Sequence, residues 1–143
     1  MIVKRLETSD AQSTREIAEK LGATLQSGDL ITLSGPLGAG KTTFVQGLAR
    51  GLGCETPVTS PTFVLMVEHE GRLPLLHVDA YRLENLCYDA VRDAGVLDAV
   101  ERGDAVTVIE WPERIAEFLP SPRFRVTLTP GEGDARTIEI ESR

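Results

Sequence analysis

Ser34-Gly35-Pro36-Leu37-Gly38-Ala39-Gly40-Lys41-Thr42-Thr43 fits the pattern G-x-x-x-x-G-K-[ST], with Gly35, Gly40, Lys41 and Thr42 at the required spacing. Each residue type has a physical role in such a phosphate loop. Glycines let successive backbone N–H groups curl around an anion, a lysine reaches the β- and γ-phosphates, and a threonine hydroxyl holds Mg²⁺. A helix that begins at the loop adds its positive end to the same phosphates. At average residue frequencies a chain of this length matches the bare pattern by chance in roughly half a percent of cases, so the flanking segments carry weight. Leu30 to Ser34 reads as a short strand entering the loop. Thr43 to Leu52 reads as a helix with Phe44, Leu48 and Leu52 on one face. Strand, loop and helix in that order predict a nucleoside triphosphate site.

Outward from the loop, residues 2–6 predict a short strand, and Thr8, Ser9 and Asp10 offer N-caps for a helix over about 10–26. Gly51, Gly53 and Pro57 end the loop helix. Phe63 to His69 and Leu73 to Asp79 read as strands joined at Glu70-Gly71-Arg72. Residues 84–101 predict a helix in two pieces, interrupted at Gly95. Ala105 to Glu110 is a near-continuous apolar run ending in an acid, as a buried parallel strand reads. Pro112 to Leu119 suits a short helix, and residues 124–129 and 136–140 alternate as a terminal hairpin. These elements predict one three-layer α/β domain over residues 1–143, P-loop NTPase-like, with a mixed, mainly parallel central sheet.

A phosphate loop needs a carboxylate at the end of a hydrophobic strand to hold Mg²⁺, directly or through water. Two strands end in one: Leu75 to Asp79 supplies Asp79, and Val106 to Glu110 supplies Glu110. Ligands of open α/β sheets bind beyond the carboxyl ends of the strands, so both acids are expected to face the nucleotide. The plainer alternative is that each caps the loop that follows it. Thr59-Ser60-Pro61-Thr62 carries hydroxyls on a proline-constrained loop, and Thr59, Ser60 and Thr62 read either as a switch contacting Mg²⁺ or γ-phosphate or as a plain turn. His77 alternates with Asp79 and shares its face, where a hydrogen-bonded structural histidine is the favoured reading over a catalytic one. Arg82 suits a phosphate contact, but a surface ion pair with Asp79, Glu84 or Asp89 fits at least as well, and Trp111 reads as packing beside Glu110 in preference to a platform for the nucleobase.

The net charge of −7 argues against autonomous binding to a polyanion, since nucleic-acid affinity comes mostly from neutralised phosphates. Any RNA is expected to be engaged through a partner. Cys54 and Cys87 form no C-x-x-C pair, and His69 and His77 are the only histidines, which disfavours a zinc site. Met1 to Glu7 lacks a signal-peptide core, and no apolar run reaches the roughly 18 residues that a membrane span needs. A cytoplasmic protein that does not engage a membrane is expected.

Taken in order, Gly35-Pro36-Leu37-Gly38-Ala39-Gly40-Lys41-Thr42-Thr43-Phe44, Ser60-Pro61-Thr62-Phe63, His77-Val78-Asp79-Ala80-Tyr81-Arg82-Leu83 and Ile109-Glu110-Trp111-Pro112 resemble the TsaE family. That family is the small ATPase component of the bacterial system that makes threonylcarbamoyladenosine in tRNA. The resemblance implies ATP and Mg²⁺ as cofactors. It implies a nucleotide-binding loop from Gly35 through Gly38, Ala39, Gly40, Lys41 and Thr42 to Thr43, with Thr42 and Glu110 approaching the metal. Asp79 becomes the Walker B-like acid, with Asp79, Glu110 and Lys41 as the catalytic set. Ser60 to Thr62 becomes the switch, and Arg136 is placed by the nucleotide. The implied partner is a TsaD–TsaB-like pair, which transfers the threonylcarbamoyl group, with tRNA reached only through it. The family's own part there is turnover or regulation. A small-molecule kinase on the same loop is the alternative, disfavoured because no insertion is long enough for an arginine-bearing lid. A GTPase is disfavoured by the lack of an N-K-x-D sequence.

Overall fold

The strand that feeds the glycine-rich loop, β2 (Leu30–Ser34), lies at the middle of one seven-stranded sheet. A computed structural model describes residues 2–55, 57–58, 66–83, 88–93 and 95–143. In chain order the remaining elements are β1 (Ile2–Thr8), α1 (Ala11–Thr24), α2 (Lys41–Gly51), β3 (Met66–His69), β4 (Leu75–Asp79), α3 (Tyr88–Asp93), α4 (Val96–Glu101), β5 (Val106–Glu110), β6 (Phe124–Pro130) and β7 (Arg136–Ser142). The strand order is β1-β7-β6-β2-β5-β4-β3. β6, β2, β5 and β4 are parallel neighbours at the centre, while β3 pairs antiparallel with β4 and β7 antiparallel with β6. β1 pairs antiparallel with β7 and so runs the same way as the central four. The expected mixed, mainly parallel α/β sheet is the one observed.

Alternation along the central strands divides the core. Ile31, Leu33, Val106, Val108, Val126 and Leu128 pack toward α1 and α2, together with Phe44, Leu48 and Leu52. Leu30, Val78 and Ile109 face the other way, toward α3, α4 and the residues that follow β5. Helices thus lie on both faces, giving three layers. Phe44, Leu48 and Leu52 are fully buried, each contributing about 1.5–3 kcal/mol relative to exposure.

Local chemistry sets the helix ends. Asp10 caps α1, accepting from the Ser13 N–H at 2.7 Å while the Ser13 hydroxyl closes the reciprocal half of the capping box. The α1–α2 crossing is close because it is lined with glycine. A Cβ at Gly47 would stand 2.4 Å from the Arg15 carbonyl oxygen. Pro112 to Leu119 does not form the single short helix expected. It forms two 3₁₀ turns, Pro112–Arg114 and Ala116–Phe118, because Ile115 between them leaves helical geometry at φ −135° and ψ 20°.

Candidate functional site

β2, β4 and β5 all run in one direction, so Ser34, Asp79 and Glu110 end at the same edge of the sheet. Asp79 pairs in register with Glu110, and Glu110 with Leu33. Neighbouring strands lie about 4.8 Å apart, so Glu110 stands one strand from the exit of β2, where the glycine-rich loop begins, and Asp79 one strand beyond it. Registered residues share a face, and here it is the face covered by α2.

The loop turns directly into α2. Gly40, at φ 94° and ψ 22°, is the N-cap, a left-handed conformation that side-chain-bearing residues adopt only with strain. The helix therefore starts at Lys41, two residues before the sequence pattern alone suggests. Thr42 and Thr43 are half-buried on its first turn. Lys41 is buried, and its Nζ donates to the Gly35 carbonyl at 2.6 Å. The same ammonium lies 3.8 Å from the centroid of the Trp111 ring, a cation–π contact. Burial pushes the Lys41 ammonium below the ordinary lysine range, and the charges of Glu110, Glu113 and Asp79 oppose that shift.

Arg136, the first residue of β7, lies against the outside of the loop. Its Nε donates to the Ala39 carbonyl at 3.0 Å and its Nη2 to the Gly38 carbonyl at 3.0 Å. Nη1 donates to the carbonyls of Gly133 and Ala135 at 2.9 and 2.7 Å. A trans peptide points its N–H opposite to its C=O, so drawing the Ala39 carbonyl toward Arg136 turns the Gly40 N–H away from it. The guanidinium thus holds the loop's backbone in place.

The two acids are held differently. Asp79 is half-buried, and its Oδ1 accepts from the Tyr81 N–H at 2.9 Å, so it does cap the turn that follows β4. Glu110 is buried, and its Oε2 meets Nε2 of the fully buried His77 at 2.5 Å. Trp111 follows with φ 57° and ψ 48°, the one non-glycine residue at positive φ among the described residues. Its ring makes an edge-to-face contact with Tyr81, centroids 5.1 Å apart. The Arg114 guanidinium lies over both rings, at 4.9 Å from Tyr81 and 5.4 Å from Trp111. Glu113 accepts from the Ser34 hydroxyl at 3.4 Å, tying the residues after β5 to the start of the loop.

Among the described residues, no group of three or more His, Cys, Asp and Glu side chains could hold a metal ion alone. The donors present are the Thr42 hydroxyl and the carboxylates of Asp79 and Glu110, all hard oxygens. That set fits Mg²⁺, which takes one or two carboxylates and completes its octahedron with water and substrate phosphates. Thr59, Ser60 and Thr62 lie outside the described residues. Glu113 and Arg114 carried no signal in the sequence that set them apart from surface residues, whereas Tyr81 stood in the block from His77 to Leu83 without a role of its own.

The sheet order, the glycine-rich loop opening α2 and the strand-end acids are those of the P-loop NTPase-like class. The model of the family described as "Threonylcarbamoyl adenosine biosynthesis protein TsaE" matches residues 8–138. The chain belongs to the TsaE family. It is 43% identical over 133 residues to the tRNA threonylcarbamoyladenosine biosynthesis protein TsaE of a Nostoc species, covering 92% of this chain and 82% of that one. It is 42% identical over 132 residues to the protein of that name from Bacillus subtilis, covering 92% and 80%. The crystal structure of Bacillus subtilis YdiB superposes with a TM-score of 0.79 at 34% identity, covering 99% of this chain and 88% of that one. No helix among the described residues is long and apolar enough to cross a membrane.

Proposed function

We propose that this chain binds ATP with Mg²⁺ on the loop from Gly35 to Thr43 and hydrolyses it slowly. It would act in the cytoplasm as the accessory ATPase of tRNA threonylcarbamoyladenosine synthesis. The observation that carries this reading is the meeting of Lys41, Asp79 and Glu110 at one sheet edge, beside a glycine-rich loop that runs directly into the N-terminus of α2. Lys41 would leave the Gly35 carbonyl for the β- and γ-phosphates. Thr42 and Glu110 would approach the metal, with Asp79 as the acid of the neighbouring strand. Gly38, Ala39 and Gly40 would present backbone N–H groups, their geometry held by Arg136 rather than by a direct contact of Arg136 with the nucleotide. Ser60 to Thr62 would supply the switch.

Membership of the TsaE family supports the place of this ATPase in tRNA modification. A chain at net charge −7 is poorly suited to holding tRNA by itself at physiological salt, so contact would run through a TsaD–TsaB-like pair. Hydrolysis would reset that complex between rounds. The test is multiple-turnover tRNA modification by the reconstituted pair, with wild-type or Lys41→Ala protein added. Wild type should support many rounds and the variant should not. Equal support from both would remove ATP turnover from the cycle.

A further inference from the structure

Glu110 is 4% exposed and His77 is 0% exposed, at the centre of a sheet whose other core positions are almost all aliphatic. His77 registers with Val108 and Asp79 with Glu110, so the bond from His77 to Glu110 runs diagonally between adjacent parallel strands on the α2 face. Nε2 of the imidazole meets Oε2 of the carboxylate at 2.5 Å, while Nδ1, also buried, has no hydrogen-bond partner among the described residues. An ionised carboxylate only accepts, so the contact requires the proton on Nε2. A histidine kept solely to knit the core would be expected to use both nitrogens, because an unused buried polar atom costs stability. Here the ring makes one side-chain hydrogen bond, and that bond fixes an acid beside the loop lysine.

We propose that His77 is a positioning residue for Glu110. It occupies Oε2 so that the carboxylate is locked in one rotamer, with Oε1 left for the metal ion at the phosphate loop. This rests on the nucleotide reading above. Partners that orient a metal-binding carboxylate from behind act on metal affinity while touching neither metal nor substrate. His77→Gln places an amide N–H near the position of Nε2 and should preserve the lock. His77→Leu fills the space and removes the donor.

The test is calorimetric titration of ADP and ATP at a series of Mg²⁺ concentrations, together with Mg²⁺-free ADP binding. His77→Leu should raise the Mg²⁺ midpoint by about 10–100-fold while Mg²⁺-free ADP affinity stays near wild type. His77→Gln should restore the wild-type midpoint. Should the leucine variant not fold, His77→Asn, whose amide is too short to reach Glu110, should show the same rise. Identical midpoints in all variants would overturn the proposal. So would a loss of Mg²⁺-free binding that tracks the loss of Mg²⁺-dependent binding, since that marks a structural role only. Absence of any Mg²⁺-dependent nucleotide binding in the wild type would instead overturn the nucleotide reading itself.

Discussion

The Lys41 ammonium is held between the Gly35 carbonyl, 2.6 Å away, and the face of the Trp111 ring, 3.8 Å from its centroid. Trp111 is the chain's single tryptophan, so indole emission comes from the ring that Lys41 contacts. A phosphate that draws Lys41 away must change the environment of the indole. Addition of ATP or ADP should therefore shift or quench the emission saturably. Lys41→Ala should start from a different emission and give no saturable response at the same concentrations. A wild-type protein whose emission ignores nucleotide while calorimetry shows it bound would place the phosphates away from Lys41.

The two strand-end acids should separate in their effects. Glu110→Gln keeps size and the bond to His77 but removes charge near the metal, and should cut Mg²⁺-dependent turnover by about 10²-fold with little change in thermal midpoint. Asp79→Ala also removes the cap on the Tyr81 N–H, so turnover and stability should both fall, the latter by about 0.5–2 kcal/mol. Steady-state ATPase assays beside thermal melts distinguish the pair. Full activity in both variants would exclude these acids from the chemistry.

Nucleotide affinity should fall at alkaline pH earlier than an ordinary lysine would dictate. Burial lowers the Lys41 pKa in the free protein, and bound phosphate would raise it again. Between the two values the complex carries more protons than the free protein. Affinity is then fully present below the free-state pKa and is lost as pH rises through the bound-state pKa. The decline should begin below the reference lysine value of about 10.4. Lys41→Arg, which does not deprotonate in this range, should flatten the curve. A wild-type profile already flat to that pH would show that Lys41 does not contact the phosphates.

The glycine-lined crossing of α1 and α2 gives a prediction on stability. A Cβ at Gly47 meets the Arg15 carbonyl oxygen at 2.4 Å, backbone that cannot give way without moving α1. Gly47→Ala should lower stability by about 1–3 kcal/mol, despite the better helix propensity of alanine. Gly103→Ala serves as control, since a Cβ there meets nothing within 4 Å. Equal melting points for the two variants would mean that the helices do not approach this closely.

What was legible in the sequence was local. The spacing of Gly35, Gly40, Lys41 and Thr42 and the apolar face of Phe44, Leu48 and Leu52 specify loop and helix within one stretch of chain. Apolar runs ending in Asp79 and Glu110 specify two strand ends, and parallel packing brought them side by side. Long-range placement was not legible. Nothing near Ile2 announces that β1 lies at one edge, paired with β7, because that partner is the last strand of the chain. Trp111 reads as packing beside Glu110, yet its left-handed backbone turns the ring onto Lys41, and side-chain-bearing residues give no sequence sign of that conformation. Arg136 fitted a place near the nucleotide, but only the path of the β6–β7 turn shows that its donors end on loop carbonyls.

That last contact has a consequence for synthesis. The loop emerges from the ribosome early, but the arginine that steadies it is 98 residues further along than Gly38. A nascent chain arrested before β7 would carry the full phosphate-binding sequence with its carbonyls unpinned and β1 still without a neighbour. Competence to hold a nucleotide would therefore arrive late in translation, in one step with closure of the sheet, so that a half-made chain could not sequester ATP or occupy a partner.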